Sequence, residues 1–374
     1  MDMEITITAK FKIKPTIEQQ SLLCDTVRAY QKGCNFVSEL VYQTKDLAQL
    51  KLHKLTYEIL RRDYALRSQM AQSVIKTVIS CYKSLLSIGS NWTNVQFKKP
   101  VYDLVWNRDY SLTKDHFSIN TLQGRIKVPF ETKGLERYFE GEWLFGTAKL
   151  VMKYGKFFLH IPMTKIVELV SEKKINQIVG VDMGINFVAV SYDSKGKSLF
   201  FKGRPIKDKR AHYKHLRKQL QQRQTSSARR RLQAIGQRET RWMADINHTV
   251  SKALVTRYGA NTLFVIEELS GVRQATERVR TKDRYQSVSW AFYQLRQMLE
   301  YKALLQGAKV ITVDPRFTSQ SCPKCGHTER ANRNKKKHTF SCKNCSYTSN
   351  DDRIGAMNLQ RKGIEYIVEA TVQA

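Results

Sequence analysis

The stretch Val179-Gly180-Val181-Asp182-Met183-Gly184-Ile185-Asn186-Phe187-Val188-Ala189-Val190 decides how this chain is read. An apolar run ends on an aspartate, a glycine follows, and a second apolar run begins. A carboxylate in such surroundings is costly unless something compensates it. Working outward, the pattern predicts strands over Ile178–Asp182, Phe187–Tyr192 and Ser198–Lys202, then a mainly helical stretch over 207–258. A strand over Thr262–Glu267, a helix over 287–306 and a strand over Lys309–Val313 complete the series. Trp290 and Phe292 fit the face of that helix which packs on a sheet, and the polar stretch 271–286 reads as a loop beside it, either a lid or a plain connection.

This mixed order is the one a ribonuclease-H-like sheet requires. Two further acidic motifs belong with the first: Leu263-Phe264-Val265-Ile266-Glu267-Glu268, and Asn350-Asp351-Asp352-Arg353-Ile354-Gly355-Ala356, where acids open an apolar helix. Singly, each has an ordinary explanation: a turn cap, an arginine partner, a favourable charge at a helix N-terminus. In this order, carboxylates on the first strand, the fourth strand and a late helix converge. Clustered negative charges need cations, so the set implies bound Mg²⁺ or Mn²⁺. Two such ions about 4 Å apart can activate water and stabilise the leaving oxygen of a phosphodiester.

Four of the seven cysteines form two C-x2-C pairs, Cys322/Cys325 and Cys342/Cys345, separated by 16 residues. Thiolates so spaced converge tetrahedrally on one Zn²⁺, and four sulfurs leave no open position, so the role is structural. The loop Arg333–Lys337 between the pairs is basic and suits either phosphate contact or plain solvation. Cys24, Cys34 and Cys81 sit alone in apolar helical patterns and read as core residues.

Upstream, residues 4–14 alternate as a half-buried strand, with Ile5, Ile7, Phe11 and Ile13 on one face and Lys10, Lys12 and Lys14 on the other. Thr16 as N-cap and Gln19 as its capping-box partner start a helix, and further helices follow over about 48–62 and 65–88. Short strands are expected at Phe117–Asn120, Arg125–Phe130, Leu144–Lys153 and Lys156–Pro162, with Tyr154-Gly155 as a hairpin turn and 165–175 as a polar connection. With the first strand these could close a small barrel that the helices interrupt in sequence.

Of 374 residues, 64 are Lys or Arg and 33 Asp or Glu, a formal net charge of +31. That excess calls for a polyanion, and no apolar run is long enough for a membrane, so nucleic acid inside the cell is the expected partner. Between Lys202 and Arg241 fourteen basic residues face two acids, Asp208 and Glu239. With no acid at i+4, the stretch is expected to touch phosphates through Lys209, Arg210, Lys214, Arg217, Lys218, Arg229, Arg230 and Arg231, together with Lys10, Lys12 and Lys14.

The motifs in order resemble the TnpB family, transposon-encoded RNA-guided nucleases related to compact type V CRISPR effectors. The matching stretches are Gly180–Gly184, Ile266-Glu267-Glu268, Thr318–Gly326, Cys342–Cys345 and Asp352 through Asn358-Leu359. The sequence departs from the family at Ile354-Gly355, where Asn-Ala is common, and Glu268 and Asp351 are adjacent alternatives for the acids. The resemblance implies a multidomain α+β protein. An OB-like wedge barrel would cover 1–14 and 100–165, a helical recognition domain 15–99, a RuvC nuclease domain 176–317 and 347–374, and a zinc-bearing target-binding module 318–346. It implies Asp182, Glu267 and Asp352 as catalytic metal ligands. It also implies a guide RNA from the transposon end, a double-stranded DNA target beside a short motif, and a monomer with its RNA in a bacterial or archaeal cytoplasm, associated with the nucleoid. Base pairing would read the sequence and protein the flanking motif. Three other readings are a compact type V CRISPR effector, a guided repressor without cleavage, which would be expected to lack one of the three acids, and a guide-free zinc-ribbon accessory factor.

Overall fold

The computed structural model describes residues 2–99, 101–113, 115–153, 155–268 and 292–372. Tyr154, Trp290 and the stretch 271–286 lie outside the described residues. The chain folds as two compact units, Glu4–Ile166 and Val167–Ala374, the latter with Met1–Met3. Among the described residues no helix is long and apolar enough to cross a membrane.

In the first unit, β1 (Asp2–Ile13) buries Ile5, Ala9, Phe11 and Ile13 and exposes the residues between most of them, as its alternation requires. Thr16 and Gln19 form the expected capping box at the start of α1 (Ile17–Thr44). α2 (Gln49–Arg62) and α3 (Ser68–Ser87) complete a helical layer. Gly33 lets α1 seat against them, because a Cβ there would stand 3.0 Å from Leu60 and 3.1 Å from Leu66.

The strands that follow are β2 (Val101–Leu104), β3 (Tyr110–Leu112), β4 (His116–Thr121), β5 (Gly124–Pro129), β6 (Leu144–Phe145), β7 (Ala148–Lys153) and β8 (Lys156–Glu168). They form one sheet in the order β1-β8-β7-β2, with β6 paired to β8, and a second sheet β3-β4-β5. The bridge Ile13↔Phe130 joins β1 to the residue after β5, and Phe11 packs on Phe117 and Phe130 at ring separations of 5.3 and 5.9 Å.

Three details differ from the sequence reading. β2 and β3 were not legible, being only four and three residues long. The strand expected over Leu144–Lys153 is broken at Gly146, whose N–H bonds Pro162 O at 2.8 Å and whose missing side chain admits Pro162. β8 runs on to Glu168, through residues expected to be a polar connection, in a sheet where β1 and β7 flank it and β6 pairs with its Met163 and Thr164.

The second unit centres on a five-stranded sheet of β9 (Gln177–Asp182), β10 (Phe187–Tyr192), β11 (Ser198–Lys202), β12 (Thr262–Glu267) and β13 (Lys309–Val313), in the order β11-β10-β9-β12-β13. β10 runs antiparallel to β9 and β11, while β9, β12 and β13 are parallel. The expected helical stretch resolves into α4 (Arg204–Arg223) and α5 (Ser226–Tyr258), parted at Gln224 in a left-handed conformation and capped by Thr225. α5 and α6 (Phe292–Leu305) bring Val250, Leu254, Leu295 and Leu299 into one core with Val179, Phe264 and Ile266.

A second core, of Leu263, Val265 and Leu359 with Tyr366 and Ile367 against them, packs α7 (Asp351–Val372) on the sheet. α7 lies almost on the β9 backbone: a Cβ on Gly180 would meet Ala356 O at 2.0 Å. Before α7 come β14 (Arg333–Asn334), β15 (Thr339–Ser341) and β16 (Thr348–Asn350), a small antiparallel sheet carrying the cysteine pairs. Phe340 and Ile354 are buried beside Cys322 and Cys342, so the ribbon packs on the first turn of α7.

Candidate functional site

Parallel pairing of Ile266 with Val181 sets the ends of β9 and β12 side by side, so Asp182 and Glu267 leave the sheet at one edge. α7 begins at that same edge with Asp351 and Asp352, 0% and 7% exposed. Gly355 makes this possible, since a Cβ there would come within 2.8 Å of Asp182 Oδ2.

The electrostatics follow from the crowding. Burial, then the charges of Glu267 and Asp352, push the Asp182 carboxyl well above the usual carboxylate range. Burial also raises Glu267, partly offset by the Thr318 hydroxyl, which donates to Oε1 at 2.6 Å. Burial and neighbouring Asp351 push Asp352 up to about 6. Asp352 Oδ2 is buried without a hydrogen-bond partner, a costly state for an acceptor. Three hard oxygen donors with raised proton affinities, one of them orphaned, suit a divalent cation.

The adjacent acids part company. Arg333 Nε donates to Asp351 Oδ2 at 2.8 Å, with His338 3.8 Å away, whereas Arg333 stands 3.7 Å from Asp352. Glu268 accepts from Arg296 Nη1 on α6, at 2.9 and 3.0 Å. Asp351 and Glu268 are therefore engaged by arginines, and Asp352 and Glu267 are the members turned to the shared edge. Sequence reasoning placed Arg333 in a solvated or phosphate-facing loop and assigned Thr318 no role. Their contacts bridge 18 and 51 positions, and no local pattern signals them.

The four cysteine sulfurs all lie within 4.8 Å of one another, the one such set among the described residues, so the carboxylates are spaced more widely. Cys322–Cys345 and Cys325–Cys342 sulfurs are each 3.6 Å apart. Bonds of about 2.3 Å to a tetrahedral Zn²⁺ put sulfurs roughly 3.8 Å apart, and a disulfide needs about 2.05 Å. The cluster fits the ion.

The basic candidates divide. Arg210 is a correction: it is 6% exposed and turned inward toward Glu239 of α5, 3.7 Å away, so it is no surface contact. Arg217 bonds the same Glu239. The acid missing at i+4 is supplied from across the α4–α5 pair. Lys209 lies over the Trp242 ring at 4.5 Å, and Lys214, Lys218, Arg229, Arg230 and Arg231 are exposed. Lys10 is exposed, while Lys12 and Lys14 approach Glu131 at 2.6 and 3.5 Å.

A mixed, multidomain α/β chain with an acidic strand edge and a four-cysteine ribbon is the class these features define. Residues 292–359 match the Cas12f1-like TNB domain, and residues 160–275 match OrfB_IS605, a probable transposase family. Over 269 residues the chain is 26% identical to the CRISPR-associated endodeoxyribonuclease Cas12f1 of Sulfoacidibacillus thermotolerans, covering 64% of this chain and 58% of that protein. It is 27% identical over 250 residues to the putative RNA-guided DNA endonuclease InsQ of Escherichia coli, covering 62% and 60%. A cryo-EM structure of a Cas12f1-sgRNA-target DNA complex superposes with a TM-score of 0.59 at 13% identity, over 96% of this chain and 99% of that one. The chain is a relative of the TnpB-like and Cas12f proteins. Its match spans about half the length of the first three curated relatives: 58%, 41% and 43%.

Proposed function

We propose that this chain is an RNA-guided DNA endonuclease of the TnpB type. The observation that carries it is the convergence of Asp182, Glu267 and Asp352 at one strand edge, with a buried, unpartnered carboxylate oxygen among them. The relatives' names support the same chemistry, and the charge of +31 supports a polyanionic partner. In this reading a guide RNA derived from the transposon end pairs with double-stranded DNA beside a short flanking motif, in a bacterial or archaeal cytoplasm. Residues 1–14 and 100–165 are the wedge barrel, 15–99 the recognition helices, 176–317 and 347–374 the RuvC-like domain, and 318–346 the zinc module.

Asp182, Glu267 and Asp352 would hold Mg²⁺ or Mn²⁺, which when bound supplies Lewis-acid stabilisation of the phosphodiester and a more acidic water. The remaining work falls to the chain. Thr318 fixes Glu267 through Oε1, Arg333 neutralises Asp351, and Gly355 keeps α7 beside Asp182. Cys322, Cys325, Cys342 and Cys345 would hold Zn²⁺, and Lys209, Lys214, Lys218 and Arg229–Arg231 would follow phosphates along the nucleic acid.

Sequencing the RNA that co-purifies with the protein, expressed beside its native flanking DNA, tests the guide. One abundant species ending in a variable segment is expected. Heterogeneous RNA, or none, would favour a guide-free DNA-binding role.

A further inference from the structure

The turn that leads into the first cysteine holds an aromatic side chain in an unfavourable backbone conformation. Phe317 has φ 63°, a region where an L side chain crowds its own backbone and glycine or asparagine is the usual occupant. The other described non-glycine residues with positive φ are small, polar or charged. The turn is firmly bonded: Phe317 O accepts from Gln320 N at 2.9 Å and Ser321 N at 3.0 Å. Folding gives the ring little in return, because Phe317 is 59% exposed. A strained, largely wet ring on a rigid turn points to function rather than packing.

Its position indicates which function. The next residue, Thr318, donates to Glu267, and Asn358 on α7 donates to Thr318 O at 2.7 Å and Ser321 O at 2.8 Å. The turn is thus tied to two of the three elements that carry the acids. Arg316, with 81% of its side chain exposed, precedes the ring, and Lys362 reaches Asp314 O at 2.5 Å. An exposed ring flanked by cations at the lip of a phosphodiester site has the chemistry of a platform for nucleobases, all of which present a π-face.

We propose that Phe317 forms a nucleobase-stacking subsite, gripping a base of the DNA strand that enters the acidic edge and setting its phosphate beside the carboxylates. The subsite rests on the nuclease reading above. It binds without sequence preference, since stacking does not read base edges.

Single-turnover cleavage of matched DNA by the complete RNA-bound protein tests it, with wild type, Phe317→Asn and Phe317→Tyr compared. Asparagine tolerates the left-handed backbone, so it removes the ring without straining the turn. The Asn variant is expected to cut about ten- to a hundredfold more slowly at limiting protein, and the Tyr variant within about threefold of wild type. Zinc content should stay at the wild-type value, and the melting temperature of the Asn variant should be equal to or above it, because the backbone strain is relieved.

A second readout places 2-aminopurine along the cut strand in complexes of Asp182→Ala protein. Quenching is expected beside the cut site, relieved by adding Phe317→Asn. Wild-type cutting by the Asn variant overturns the subsite, and so does a fall in melting temperature that accounts for its lost activity. If wild type fails to cut at all, the nuclease reading falls, and the fluorescence still decides: quenching that depends on Phe317 upholds the subsite, and its absence overturns it.

Discussion

The two clusters suited to cations in this chain are built in opposite ways. The four sulfurs come from 24 consecutive residues, held by two tight turns and a three-stranded ribbon. Successive carboxylates stand 85 positions apart along the chain, and the three meet only because β9, β12 and α7 reach one edge. The first is a local device, whose ligands neighbouring turns bring together. The second exists only when the sheet register and the helix packing are both correct. A lesion in one should therefore unfold a module, and a lesion in the other should silence chemistry while leaving the fold in place.

The largest structural effect is expected from Cys322→Ser. It should abolish zinc binding and strip hydrogen-exchange protection from 318–350 while β9–β13 keep theirs, because metal affinity is the main source of a ribbon's folding energy. Full protection in that segment together with undiminished zinc would break the contrast.

Gly355→Ala should give an intermediate result. The added methyl would meet Asp182 Oδ2 at 2.8 Å, so either α7 or the acid must shift. The Asp182 carboxylate can turn away from the methyl, and alanine is common here in the family the sequence resembles, so cleavage should fall only about threefold while zinc content stays unchanged. Wild-type cutting by this variant, measured beside its thermal melt, would show that the acidic edge tolerates displacement.

The smallest effect should come from a surface tie in the same unit. Glu172 bonds Lys309 and Tyr366, and the Lys309 ammonium is the main reason its carboxyl is lowered to about 2. A depressed acid stabilises the fold above its unfolded value and loses that contribution as pH falls through its folded value. Glu172→Gln should cost about 0.5–1 kcal/mol at neutral pH, a difference that shrinks as pH falls from about 4.5 towards 2. A melting difference independent of pH would rule out the ion pair as its source.

This contrast also governs what the sequence revealed. The cysteine pairs were legible because turn geometry makes spacing equivalent to convergence. Strands β9 to β13 were legible because each is a short, largely apolar run bounded by turn residues or a helix. The acids were legible only as a set read against the strand order, and choosing Asp352 over Asp351 needed the family pattern. The contact that supports the choice is Arg333, which bonds Asp351 from another part of the chain and stands farther from Asp352. The same blindness to distant partners put Arg210 on the surface, since Glu239 lies 29 positions away on another helix. Gly146 and the long β8 escaped notice because a break and an extension both depend on the neighbouring strand.

The most direct test of the central claim compares cleavage and binding of a guide-matched DNA by wild type, Asp182→Ala and Asp351→Asn, each loaded with its RNA in Mg²⁺. Losing one ligand of the acidic edge should remove several kcal/mol of transition-state stabilisation, so Asp182→Ala should cut at least about a thousandfold more slowly and bind DNA within about twofold of wild type. Asp351→Asn should retain more activity than Asp182→Ala, because its carboxylate serves Arg333. Cutting by Asp182→Ala at the wild-type rate would contradict the account, and the three carboxylates would then not be the catalytic edge.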